Sequence, residues 1–383
     1  MTKLFEESER TELRPAERRE QSHAYLNISA RQPAALIRKT LNGWFAAYPE
    51  EHKDSLKQDF TVKADQSAFT ELLIYTTLSQ LGAKDILVHP ELAGTNRRPD
   101  FRATLNAEHT YIEVKNAAEM ENPRVEDFCD QVNKSFTTTG FMIDLSFEGT
   151  FAKSISVSKF CTFLDHQTNH QDIYELRRVA KEDGADKLPI WTFNHADGRI
   201  HITPIPTKHP DKVYQRPIGS QSPHDVYLIE NAKTLRKSLK KKASRYGELD
   251  SPFIIVVNFE DGFIDDIDIA EALFGDEELV FRGAGRGPEI NRKPNGLWSK
   301  SRNTRVSGVL ILDRTNPWSF WQRVPSLWLN PWATYPLDGS FFDHHMQTHK
   351  PDMATGKIVK TEGTPFLEIL GLSKQQWQDA FNH

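Results

Sequence analysis

Long apolar runs are missing from this chain, and with them any expectation of a membrane span. The longest, FIIVV at 253–257 and VLIL at 309–312, fall far short of the roughly 20 residues that a spanning helix needs. Cysteine is almost absent: Cys129 and Cys161 make neither a disulfide framework nor a zinc site. The opening stretch, MTKLFEESERTELRPAERREQ, alternates acids and bases without an apolar segment, so it does not read as a secretory signal. No GxxxxGK[ST] or GxGxxG loop occurs, so ATP-driven work would fall to a partner. No internal repeat is visible. These absences together predict a cytoplasmic protein.

What is present is ordinary in bulk and uneven in detail. A chain of 383 residues, 38% hydrophobic and 26% charged, can bury one large core or a core with a companion lobe. The formal net charge of −5 argues against coating nucleic acid by bulk charge. It leaves open a local basic groove, because contact depends on where the charge sits.

Residues 1–60 read as an N-terminal helical arm: a charged lead-in, then a helix over Pro33–Tyr48, then a polar connector, EEHKDSLKQDFTVKAD. A second helix follows in SAFTELLIYTTLSQLG, with Ser67 as N-cap and Gly82 just past its end. DILVHPEL, RPDFRATL and TYIEVKNA then read as strands, the last two joined by the turn NAEH. ENPRVEDFCDQVNKSF reads as a helix and FMIDLSF as a strand, closing a core over 61–147. Residues 148–225 read as an insertion or sheet extension, and 226–330 as a continuation of the α/β domain: helix 226–246, strand FIIVVNFE, helix IDIAEALFG and strand RVSGVLILDR. Residues 331–383 read as a tail ending in the short helix SKQQWQDAF.

Chemistry concentrates in RRPDFRATLNAEHTYIEVK, at 97–115. Side chains alternate along a strand, so Glu113 and Lys115 share one face, and Asp100, Arg102 and Thr104 share one face of the preceding strand. Paired through the turn, Asp100 and Glu113 project together and repel unless a cation lies between them. Their oxygens suit Mg²⁺, with Mn²⁺ as an alternative. A metal eases attack on an anionic phosphodiester, and a neighbouring ammonium orients water and offsets the charge growing on phosphorus.

On Pro99-Asp100 and Glu113-Val114-Lys115 the chain resembles the PD-(D/E)xK phosphodiesterase superfamily, in an uncharacterised bacterial branch. The resemblance implies an α/β fold with a restriction-endonuclease-like core, a mixed central sheet flanked by helices, plus insertions. It implies that Asp100 and Glu113 ligate the metal and that Lys115 handles the water. Glu71, on the helix before the strands, would assist the metal or its water shell. Some branches add a Gln and a Tyr on the next helix; Gln131 suits the first, but Phe136 stands in the place of the second.

Basic residues cluster in NAKTLRKSLKKKASRYG, where Ala232, Leu235, Leu239, Ala243 and Tyr246 form an apolar stripe. Lys233, Arg236, Lys237, Lys240, Lys241, Lys242 and Arg245 cover the rest, and no acid intervenes. Lys233, Arg236, Lys237, Lys240 and Lys241 are the candidate phosphate contacts here, joined by Arg286 and Arg292 in the Gly-rich stretch 281–305. DHHMQTH places His345 and His349 at a helical zinc spacing, but its surroundings favour a surface cluster. The resulting expectation is a Mg²⁺-dependent endonuclease acting on DNA, in restriction or anti-phage defence, working as a homodimer or beside a partner protein. The rivals are a catalytically inactive subunit that binds nucleic acid or a partner protein, and an RNase of the same fold.

Overall fold

The computed structural model describes residues 2–17, 20–62, 65–117, 123–149, 151–184, 187–223, 231–247, 249–259, 264–280, 289–352 and 357–382. By its contacts the chain divides into two units. The first combines Met1–Ala16, Glu20–Glu119 and Glu230–His383, and the second combines Glu17–Arg19 with Met120–Ile229. Among the described residues, no helix is long and apolar enough to cross a membrane.

The first unit begins with helices α1 (Ser22–Ile28), α2 (Gln32–Ala47), α3 (Glu50–Val62) and α4 (Asp65–Gln80). The stretch expected to be a polar connector is α3. Leu56 and Phe60, one turn apart, are buried, and Glu50 and Glu51 sit where the helix dipole favours acids. Two apolar residues in a charged segment give too weak a periodicity to read, yet they suffice once packed. The lead-in is also anchored: Leu4 and Phe5 are buried, and Asn42 bonds both the N–H and the carbonyl of Phe5 at 2.9 Å. Helix α4 starts at Asp65, so Ser67 lies inside its first turn and is not the cap. Gly82 follows the helix at φ +86°, as its predicted role requires.

Strands β1 (Lys84–Val88), β2 (Phe101–Leu105) and β3 (Glu108–Ala117) form an antiparallel meander. The β2–β3 pairing runs from Phe101 opposite Ile112 to Leu105 opposite Glu108. Asn106 and Ala107, both at positive φ, make the two-residue turn whose twist matches the strands, a tighter turn than the expected NAEH.

The chain then enters the second unit. Its elements are α5 (Pro123–Ser135), β4 (Thr138–Thr139), β5 (Phe141–Gly149), α6 (Val157–Thr168), α7 (Ile173–Glu182), β6 (Trp191–His195), β7 (Gly198–Pro206), β8 (Val213–Tyr214) and β9 (Ile218–Pro223). Four strands pair in the order β6-β7-β5-β9 over a core that includes Phe128, Val132, Phe147, Phe160, Ile200 and Ile202. The helix and strand expected to close a 61–147 core therefore belong to a separate body with its own core. The insertion begins near 120 rather than 148, and it does not extend the main sheet.

The first unit resumes with α8 (Asn231–Ala243), β10 (Phe253–Phe259), α9 (Asp266–Phe274), β11 (Glu277–Val280), β12 (Glu289–Arg292), β13 (Gly308–Asp313), β14 (Ser326–Leu329), β15 (Gln347–Pro351), β16 (Ile358–Lys360), α10 (Phe366–Ile369) and α11 (Lys374–Asn382). Its sheet is mixed and eight-stranded, ordered β1-β2-β3-β10-β13-β14-β15-β16, with β10 parallel to both β3 and β13. Every residue of β10 is buried, as a central parallel strand flanked by helices requires. Ile112, Val114, Ile254 and Val256 face a core shared with α2 and α4, including Phe45, Phe69 and Leu72. Tyr111, Ile255 and Val257 face the opposite core, with Leu235 and Leu239 of α8 and Leu273 of α9. Residues 1–60 and 331–383 are neither arm nor tail. The first supplies helices to one face of the sheet, and the second supplies β15, β16 and Trp377, which is buried in the same core as α2.

Candidate functional site

Asp100 stands just before β2, and its Oδ2 accepts the Val114 N–H at 2.6 Å. Its carbonyl accepts the N–H of His89 at 2.9 Å, so the residue pins the start of β2 on both sides. Glu113 lies in the middle of β3, opposite Ile255 of the central strand, and is completely buried on the α8 side of the sheet. Lys115, two residues on and opposite Val257, shares that face and is partly buried. These charges do not lie on an edge strand, since β3 is paired on both sides. Glu71 comes from α4, and its Oε1 accepts the Tyr48 hydroxyl at 2.6 Å.

A buried carboxylate must be compensated, and Glu113 is, by residues 129 to 133 positions away. Its Oε1 accepts from Lys242 Nζ and, at 2.8 Å, from Arg245 Nη1. Its Oε2 accepts from the Tyr246 hydroxyl, which also reaches the Arg98 carbonyl at 2.9 Å. These three donors stand at and just beyond the C-terminal end of α8. The sequence pattern places Lys242 and Arg245 only within a basic surface, and Tyr246 only within the apolar stripe. Tyr48 was missed as a partner of Glu71, for no local pattern marks a bond between residues so far apart.

The other two acids are not compensated in this way. Burial, then the Glu113 charge, pushes the Asp100 carboxyl up to about 7, with Glu71 adding to the rise. The N–H of Val114 and the charge of Lys242 oppose it. Glu71 is likewise pushed up to about 7, chiefly by burial, with Asp59 and Glu113 adding to the rise against the Tyr48 hydrogen bond. Glu71, Asp100 and Glu113 therefore sense one another electrostatically. Their donor chemistry, hard oxygens in mutual repulsion, fits a divalent cation in kind. Among the described residues, however, no group of three or more His, Cys, Asp or Glu side chains is drawn together closely enough to hold an ion. Glu113 would have to exchange its ammonium and guanidinium partners to become a ligand.

The expected phosphate contacts separate into three groups. Lys233, Lys237, Lys240 and Lys241 are exposed on α8. Arg236 is not part of that face: it is 9% exposed, bonds the Glu271 carbonyl at 2.8 Å and pairs with Asp276. At its position the helix turns toward α9, and the side chain follows. Arg292 bonds the Gly275 carbonyl at 2.9 Å and pairs with Glu277, fastening the β11–β12 hairpin. Arg286 lies outside the described residues. Gln131 is exposed on α5 in the second unit. The histidine cluster divides: His344 and His345 are exposed in a turn, as a surface cluster requires, while His349 is buried in β15 and stacks on Trp328 at 4.0 Å.

Compared with family models, with curated proteins and with solved structures, the chain finds no match. The site must stand on its own chemistry.

Proposed function

We propose that the chain is a metal-dependent phosphodiesterase acting on nucleic acid, with DNA as the preferred substrate. The observation that carries this reading is the electrostatic coupling of three acids from α4, the start of β2 and the middle of β3, with Lys115 two residues beyond Glu113 on the same face of β3. Two of these acids remain without cationic hydrogen-bond partners among the described residues and are pushed up to about 7. Acids so placed cost stability, and sites that accept such a cost are often functional. The element order supports the reading as well. A helix and three antiparallel strands, with Pro-Asp just before the second and Glu-x-Lys on the third, follow the order that the superfamily resemblance calls for as far as β3, while the helix expected to complete it, α5, lies in the second unit.

Asp100 and Glu113 would hold Mg²⁺, and Glu71 would accept from its water shell. The ion, when bound, polarises the phosphoryl oxygen and makes bound water easier to deprotonate. Lys115 orients the attacking water and offsets the charge that grows on the phosphoryl oxygens. Tyr48 holds the Glu71 carboxylate in one orientation. The exposed lysines of α8 steer the backbone. A defence setting follows from the superfamily resemblance alone.

One observation favours a second reading, a silent subunit that binds nucleic acid: Glu113 is fully satisfied by Lys242, Arg245 and Tyr246. Duplex DNA, single-stranded DNA and RNA of one sequence, each incubated with Mg²⁺ or EDTA, separate the readings. The expected result is Mg²⁺-dependent DNA cleavage that falls by about 10²-fold or more in Lys115→Ala and in Asp100→Ala. Cleavage of RNA in place of DNA changes the substrate. Binding without cleavage, equal in wild type and variants, establishes the silent subunit.

A further inference from the structure

Glu113 is one carboxylate with two cations on the same oxygen. Lys242 is the more buried, its side chain 15% exposed, and Arg245 the more open, at 42%. Lys242 and Tyr246 together already compensate a single buried acid, one by charge and the other by hydrogen bonding to the second oxygen. Arg245 is therefore in excess.

Its surroundings are strongly basic. Arg97 Nη1 bonds the Arg245 carbonyl at 2.7 Å, and Arg305 bonds the carbonyls of Tyr246 and, at 2.9 Å, Gly247. Lys233, Lys237, Lys240 and Lys241, at intervals of four, seven and eight residues from the first, share one exposed face of α8 that leads toward this end. A guanidinium offers a planar fork that matches phosphate oxygens, and it is less tightly hydrated than an ammonium. Against this background, the single bond from Arg245 to Glu113 is one that an incoming phosphate can replace without stranding the carboxylate.

We infer that Arg245 is the nucleic-acid phosphate receptor of this site, parked on Glu113 in the free protein and handed to a backbone phosphate when nucleic acid binds. The inference rests on the nuclease reading for the identity of the ligand, but it requires no cleavage. Lys242 and Tyr246 hold Glu113 during the exchange, so the acid is released in two stages, with Arg245 leaving first.

The test is anisotropy of a fluorescein-labelled 20-base-pair DNA duplex titrated with the full chain in EDTA, over a series of KCl concentrations. Arg245→Ala is expected to weaken binding on the order of tenfold at 0.1 M salt and to lower the salt slope by about one. Glu113→Gln is expected to tighten binding, because the parking acid is gone, and the gain should vanish in Glu113→Gln/Arg245→Ala. Arg236→Ala, on the same helix but turned inward, should leave affinity unchanged. In Arg245→Ala, Lys242 and Tyr246 still pair with Glu113, and circular-dichroism melting verifies that each variant folds. Should the double variant not fold, Arg245→Ala and Glu113→Gln decide between them.

An unchanged affinity and slope in Arg245→Ala overturns the inference. So does a Glu113→Gln gain that persists in full without Arg245, since that is general charge relief, and so does a failure to bind DNA at all. Binding that follows the expected pattern without cleavage in Mg²⁺ leaves the inference standing and sinks the nuclease reading. Cleavage with no dependence of binding on Arg245 does the reverse.

Discussion

Helix α8 carries two ion-pair clusters, and they are built differently. Near its middle, Arg236 meets one carboxylate, Asp276, and one carbonyl, Glu271, in a balanced arrangement to which Asn295 also contributes. Asp276 is accordingly held below the usual carboxylate range. At its C-terminal end, Glu113 meets two cations and a phenol, while Asp100 and Glu71 nearby are pushed the other way, up to about 7. The first cluster is an anchor, in which Arg236 and Asp276 pair directly even though Arg236 Nε is buried without a hydrogen bond. The second combines an oversupplied acid with two undersupplied ones, an imbalance that packing alone does not need. One helix thus carries a structural ion pair near its middle and, at its other end, the imbalance on which the proposed site rests.

The sharpest way to break this comparison is to remove the cations at each end. Lys242→Ala/Arg245→Ala strands a fully buried carboxylate and is expected to cost about 3 kcal/mol or more. Arg236→Ala leaves Asp276, whose side chain is 34% exposed, free to take up water, and should cost about 1 kcal/mol. Urea melts of both variants measure the difference. Equal losses would mean that Glu113 is no more dependent on its partners than Asp276.

A smaller effect sharpens the electrostatic half. Asp100 and Glu71 have folded-state values raised above those of an unfolded chain. Such groups cost nothing at a pH where they are protonated in both states. The cost sets in as pH rises through the unfolded value near 4 and is complete above about 7. Asp100→Asn keeps an oxygen for the Val114 N–H and removes the charge. Its stability relative to wild type is therefore expected to grow by about 1–2 kcal/mol between pH 5 and pH 8, discounted for partial exposure. The same variant scheme at Asp276, whose value is lowered, should show no such growth. A flat difference at Asp100 would mean that the acids are well solvated.

Much of this architecture is legible in the sequence, and the rest is hidden for definite reasons. Strand alternation in RPDFRATL and TYIEVKNA predicts the hairpin, and the apolar run FIIVV predicts a strand, because each pattern is local, whereas its central place in the sheet is not. Helix α3 is hidden because, among its described residues, Leu56 and Phe60 are the only buried apolar ones. The boundary of the second unit is hidden because ENPRVEDFCDQVNKSF is a good amphipathic helix in either body, and the pattern does not say which core it faces. On α8 the periodicity separates apolar from basic positions but does not tell Arg236, turned toward Asp276, from Lys237, exposed to water. Nor does any motif link Glu113 to Lys242, Arg245 and Tyr246, since that contact exists only once β3 and α8 are packed together.

Whether Asp100, Glu113 and Glu71 take a divalent ion decides between a metal site and an ion-pair network. The most direct measurement is an anomalous difference map from crystals of the protein soaked in Mn²⁺. The expected result is an ion ligated by Asp100 and by a Glu113 that has turned away from Lys242, with Glu71 at its water shell. No ion at Asp100 under saturating Mn²⁺, with Glu113 still held by Lys242, Arg245 and Tyr246, would contradict it and leave the cluster a structural ion-pair network.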